Sequence, residues 1–104
     1  MLIATTDSIP GKEVVEVKGL VKGSTVRSKH IGKDIGASLK TIVGGELNGY
    51  NDMLIEARQI AIGRMCDEAQ SLGANAIVGL RLMSATVMAG AAEMVAYGTA
   101  IVVK

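Results

Sequence analysis

The sequence predicts an α+β domain of order β-β-α-α-β-β, a mostly antiparallel sheet with two helices packed on one face. Three observations predict it. Segments 13–18 and 93–103 are rich in β-branched residues and read as strands near the two ends. Between them lie two stretches of helical period, one after Ser28 and one after Asn51. Turn residues punctuate the junctions, chiefly Pro10-Gly11, Gly44-Gly45 and Gly73.

Taken in order, residues 2–6 are a short β-prone segment. Asp7-Ser8-Ile9-Pro10-Gly11 reads as a turn, because Pro presets φ and Gly accepts positive φ. Val15 and Val17 alternate with Glu16 and Lys18, the pattern of a half-buried strand. Gly19 and Gly23 interrupt it and predict a bulge or bend, with the strand continuing through Thr25-Val26-Arg27. Ser28 then caps a first helix, whose apolar stripe is Ile31, Ile35, Leu39 and Ile42. Gly44-Gly45 stops it.

Asn51 or Asp52 caps the second helix. Its stripe is Leu54, Ala57, Ala61, Met65 and Leu72, with Ala69 beside it. Glu56, Arg64, Asp67 and Glu68 lie on its polar surface, with Arg64 and Glu68 spaced as an i,i+4 ion pair. Gly73 supplies the left-handed residue that ends it. Strands at 75–84 and 93–103 close the chain, joined by a small-residue hairpin connection over 85–92. The last strand is apolar on both faces, so one face needs cover beyond the helices.

Composition excludes several function classes. The 104 residues suit one domain, 1–104. Hydrophobic residues make up 49%, yet Tyr50 and Tyr97 are the only aromatics, so aromatic stacking on bases is not expected. Eleven basic and ten acidic residues leave a charge of +1, without the basic excess of a nucleic-acid binder. The single Cys66 excludes an internal disulfide and fits a reducing, cytoplasmic setting. The longest uncharged runs, 82–92 and 94–103, are shorter than the ~18 residues that span a bilayer.

Several stretches in fixed order resemble the YbjQ-like family of small bacterial and archaeal proteins. They are Thr5-Thr6, Gly11-Lys12-Glu13-Val14-Val15-Glu16, Gly19-Leu20-Val21-Lys22-Gly23 and Ile42-Val43-Gly44-Gly45-Glu46. Tyr50, Leu54 and Ala57-Arg58 follow, then Leu72-Gly73-Ala74-Asn75-Ala76-Ile77-Val78-Gly79 and Gly98-Thr99-Ala100. The resemblance covers the whole chain. It implies a ring-shaped homo-oligomer, a homopentamer, whose subunits are joined in part by short extra strands. It also carries a heavy-metal-binding label, hence a soft or borderline metal ion as ligand.

Three sets of residues are candidate sites. Cys66 and His30 are the soft and nitrogen donors for a metal, though 36 positions apart and without a local pair. Arg27, Lys29, His30 and Lys33 crowd the start of the first predicted helix, where phosphate or carboxylate would be held. Gly44, Gly45, Glu46, Tyr50 and Arg58 form a loop or interface set, with Glu56 able to join acid–base work. Gly44-Gly45 lacks phosphate-loop spacing, and no Gly-x-Ser-x-Gly nucleophile motif occurs. The residues name no reaction. The leading expectation is a homo-oligomeric binding or scaffold protein. The competing one is a small-anion binder, or an enzyme, using the Arg27–Lys33 cluster.

Overall fold

The computed structural model describes residues 1–28 and 45–104, the side chains of residues 45–48 excepted. Strand β1 is Leu2–Ile3 and β2 is Val14–Ser28. Helix α1 is Gly45–Ser71. Strands β3, Ala76–Met88, and β4, Ala91–Val103, complete the described elements. They form one sheet of order β1-β3-β4-β2. β2 and β3 both run antiparallel to β4, while β1 runs parallel to β3, so the sheet is mixed.

The boundaries of the second expected helix differ from expectation. Among the described residues there is one helix, and the first predicted helix lies outside them. Asn51 and Asp52 do not cap α1; it starts at Gly45 and runs for 27 residues. Gly45 therefore belongs to α1, and the expected first helix before it lies outside the described residues. The polar, glycine-containing stretch 45–52 has poor intrinsic propensity, which hid this extension. The buried stripe is also shifted by one residue at its start. Met53, Ala57, Ala61, Met65 and Ala69 are buried, whereas Leu54 is half-buried and Leu72 exposed. This is a strict i,i+4 row, the narrow line along which α1 meets the sheet.

The turn at Pro10-Gly11 is as expected. Lys12 N–H donates to Ile9 O at 3.1 Å, with Gly11 at φ 81°, a type II geometry. Gly19, at φ 112°, stands at a register shift between β2 and β4, the predicted bulge. Gly23 is different. It pairs regularly with Ala96, and a Cβ there would collide with the α1 backbone at Ala61 and Met65. Its role is to let strand and helix backbones touch.

The β3–β4 connection is much tighter than 85–92. The strands run on to Met88 and Ala91 and turn at Ala89-Gly90, with Gly90 at φ 76°. Ala91 and Ala92 are buried in this ladder and residues 85–88 are exposed, and small side chains without a polar–apolar alternation resembled a loop. The result is an extended arm. The molecule measures 52 × 22 × 16 Å, with a radius of gyration of 16.8 Å. A compact chain of this length has a radius near ~13 Å.

The core is built without rings. Val21, Ile77, Met65, Met94 and Ala96 meet Ala57, Ala61 and Ala69 between α1 and the sheet. Burying a side chain such as Ile77 or Met65 contributes roughly 1.5–3 kcal/mol. On the opposite face a second cluster joins Ala76, Val78, Ile101 and Val103, covered by Ile9 from the N-terminal turn. The expected extra cover for β4 is thus present at one end of the strand. Toward the arm it is absent among the described residues: Leu20, Val26, Met83 and Met88 are exposed, and Tyr97 is partly so.

Candidate functional site

Of the two candidate metal donors, Cys66 alone lies within the described residues. Cys66 stands on α1, half-buried beside the Met65 core position. Burial pushes its thiol up from the ordinary value of 9.0, the Met1 ammonium lowers it in part, and Asp67 raises it further. His30 lies outside the described residues. Among the described residues no three His, Cys, Asp or Glu side chains gather to hold an ion, so they do not fit a soft-metal centre.

The basic cluster is likewise represented by one member. Arg27 belongs to β2, and its Nη2 donates to Glu56 Oε1 at 2.7 Å, an ion pair. Lys29, His30 and Lys33 lie outside the described residues. Of the loop set, Gly44 also lies outside them. Gly45, Glu46, Tyr50 and Arg58 are all within α1. Tyr50 and Arg58 are both half-buried, but eight positions apart they stand about 12 Å apart along the axis. Glu56 faces Arg27 and is not paired with Arg58.

The structure brings together a different set, along the outer edge of β2. Arg64 and Glu68 do not pair with each other. Arg64 Nη1 donates to Ser24 O at 2.7 Å, and Lys22 N–H donates to Glu68 Oε1 at 3.2 Å. Every second residue of an antiparallel strand turns its backbone groups away from its partner strand. Lys22 and Ser24 share that parity, and helix side chains satisfy one outward group of each. With Arg27–Glu56, three links tie α1 to β2. Helix and strand run in opposite senses: 56, 64 and 68 meet 27, 24 and 22. Twelve helical residues rise about 18 Å and five strand residues about 17 Å, so the links stay in step. Sequence reading placed Glu56, Arg64 and Glu68 on the polar surface of the helix and paired Arg64 with Glu68, but did not join them to β2. Their signal was the row 56, 64, 68, at multiples of four on one flank of the buried stripe.

The other edge of the sheet is bare along the arm. Ala4 accepts from Leu80 N–H, and the Arg81 guanidinium donates to Thr5 O at 2.9 Å. From Leu82 to Met88, no strand among the described residues pairs with the outer edge of β3. Leu82, Met83, Val87 and Met88 are all exposed there. Cross-strand rows place Val26, Glu93 and Ala85 together, and Ser24, Val95 and Met83 together, on one open sheet face. A dent of about 190 Å³ between Met83, Ser84, Ala85, Glu93 and Val95 is too small and open to enclose a substrate of ordinary size.

Comparison with known proteins fits this whole-chain architecture. The family described as "Putative heavy-metal-binding", the YbjQ-like family, matches residues 1–104. The chain belongs to that family. A UPF0145 protein of Clostridium perfringens is 71% identical over 102 residues, covering 98% of this chain and 96% of that one. A UPF0145 protein of Clostridioides difficile is 64% identical over 104 residues, covering 100% and 93%. A crystal structure of a protein of unknown function from Pediococcus pentosaceus, assigned to the DUF74 family, superposes with a TM-score of 0.62. It covers 100% of this chain and 98% of that one at 20% identity, a likeness of fold. No helix among the described residues of this YbjQ-like chain is long and apolar enough to cross a membrane.

Proposed function

We propose that this YbjQ-like protein acts as a homo-oligomeric binding scaffold whose copies join head to tail, sheet edge to sheet edge. The observation that carries the reading is the pair of unlike edges on one sheet. β2 ends one side of it, and the Leu82–Met88 stretch of β3 ends the other, next to an open apolar face. An edge strand with unpaired N–H and C=O groups is a template for another chain. The two edges differ, so joining them is a heterologous contact, which closes into a ring when the rotation allows. β2 and β3 run in the same direction, since both are antiparallel to β4, and the new junction would be a parallel pair. The apolar face on Leu20, Val26, Met83 and Met88 would become continuous across it.

A ring of five is the size supported by the family resemblance. The heavy-metal role rests on the family's description, and an ion held by this chain would need donors from several copies or from residues such as His30. A cytoplasmic, reducing setting is supported by the unpaired Cys66. Size-exclusion chromatography with light scattering tests the assembly. The expected mass is a multiple of the 10.7 kDa subunit. A monomer throughout the micromolar range would overturn the reading. Native mass spectrometry of protein from its own source reports copy number and any retained metal together.

A further inference from the structure

The two edges that the proposed assembly would join are not equally open. The β3 edge from Leu82 to Met88 is bare among the described residues, whereas β2 carries helix side chains on its outward backbone groups. A strand adding to β2 needs those groups for its own ladder. Glu68 Oε1 already holds Lys22 N–H, and Arg64 Nη1 already holds Ser24 O. Both residues stand one α-helical turn apart on the same flank of α1, which lies mainly over β2.

We propose that Arg64 and Glu68 are a guard on the β2 edge, displaced when the Leu82–Met88 strand of a second copy adds there. This rests on the edge-to-edge assembly above and names its regulation. Charged side chains are a common means of blunting a sheet edge. Here they act by occupying the groups themselves. The guard is revocable, because two side-chain hydrogen bonds are exchanged for a longer run of backbone bonds and buried apolar surface. Leu82 and Met83, 42% and 57% exposed, are the apolar residues of the incoming strand nearest its start. The guard thus weakens encounters with any short or ill-fitting strand, while the matching strand of another copy completes the full ladder. A purely structural tie between helix and strand predicts the reverse effect, since removing it would loosen the β2 side and weaken assembly.

The test uses the full chain with Arg64→Ala, Glu68→Ala, the double variant and Glu68→Gln. Glutamine keeps an oxygen that accepts from Lys22 N–H, so it should behave as the parent. Circular dichroism establishes that each variant is folded. Assembly is then followed by sedimentation velocity against concentration, and exchange of the Lys22 amide by hydrogen–deuterium measurements under monomeric conditions. The double variant should assemble at about tenfold lower concentration or less, tenfold being the low end of one hydrogen bond to a charged group. The Lys22 amide should lose protection in Glu68→Ala and keep it in Glu68→Gln. Parent assembly with the double variant unchanged or weaker overturns the guard and leaves the assembly reading intact. A monomeric parent with an assembling double variant supports the guard and overturns assembly of the parent. If neither assembles, both are overturned.

Discussion

Asn75 and Val103 close the sheet with two reciprocal hydrogen bonds. Asn75 Nδ2 donates to Val103 O and Val103 N–H donates to Asn75 Oδ1, both at 2.8 Å. The side-chain amide thus behaves as one more backbone unit opposite the end of β4. Asn75 N–H also donates to Ile101 O at 3.1 Å. The same residue therefore sets the exit from α1, through Gly73 at φ 83°, and the start of β3.

Asn75→Ala should lower stability by about 2 kcal/mol, because it leaves two partly buried backbone groups of Val103 without partners. Urea unfolding measures it. Asn75→Asp should not rescue the loss, since a carboxylate accepts from Val103 N–H but faces Val103 O with no donor. Full stability in the aspartate variant would contradict this account.

Gly23→Ala should be among the most damaging single changes. The new Cβ meets the helix backbone at Ala61, Arg64 and Met65, which cannot rotate away as a side chain would. A loss of about 3 kcal/mol or more is expected, at the upper end of overpacking costs. Gly11→Ala meets nothing within 4 Å and carries only the strain of φ 81°, so it should cost less. Thermal or chemical unfolding of the two side by side decides the order.

Cys66 should react slowly with iodoacetamide near neutral pH, with a titration midpoint above 9.0 in the folded chain. Burial is the main cause. The sign for stability follows from proton counting. Between the unfolded and folded thiol values the native state holds more protons, so stability falls as pH rises through that window. The thiol's contribution is complete below the unfolded value and lost as pH rises through the folded one. Unfolding free energies across alkaline pH, compared with Cys66→Ala, isolate it; a midpoint below 9.0 would contradict the burial argument.

Leu82→Lys should break assembly while leaving the subunit folded. Leu82 is 42% exposed on the arm, and surface changes usually move stability by less than about 0.5 kcal/mol. Light scattering should show smaller species at the same concentration, with an unchanged circular dichroism spectrum. An intact oligomer would place the junction away from the arm.

The site was legible in the sequence only in part. Gly19 announced its bulge and Pro10-Gly11 its turn, because both depend on local φ. The Ala57, Ala61, Met65 and Ala69 positions of the stripe followed from helical period. Arg64 and Glu68 were misassigned to each other, since i,i+4 spacing is visible in a chain and a strand 40 residues away is not. Gly23 looked like a strand interruption for the same reason.

The sequence by itself determined the class of fold, the ring-free core and the whole-chain family resemblance. Those follow from period, composition and motif order, which are local or additive. Among the described residues, tertiary structure alone decided which sheet edge is covered and which is bare, where β4 lacks cover, and which charges meet which backbone groups. Each of these depends on bringing distant segments within hydrogen-bond range. Small residues are the link between the two levels. Gly23 opposite Ala61 lets helix and strand approach until the longer side chains on the flank of α1 reach over the edge of β2.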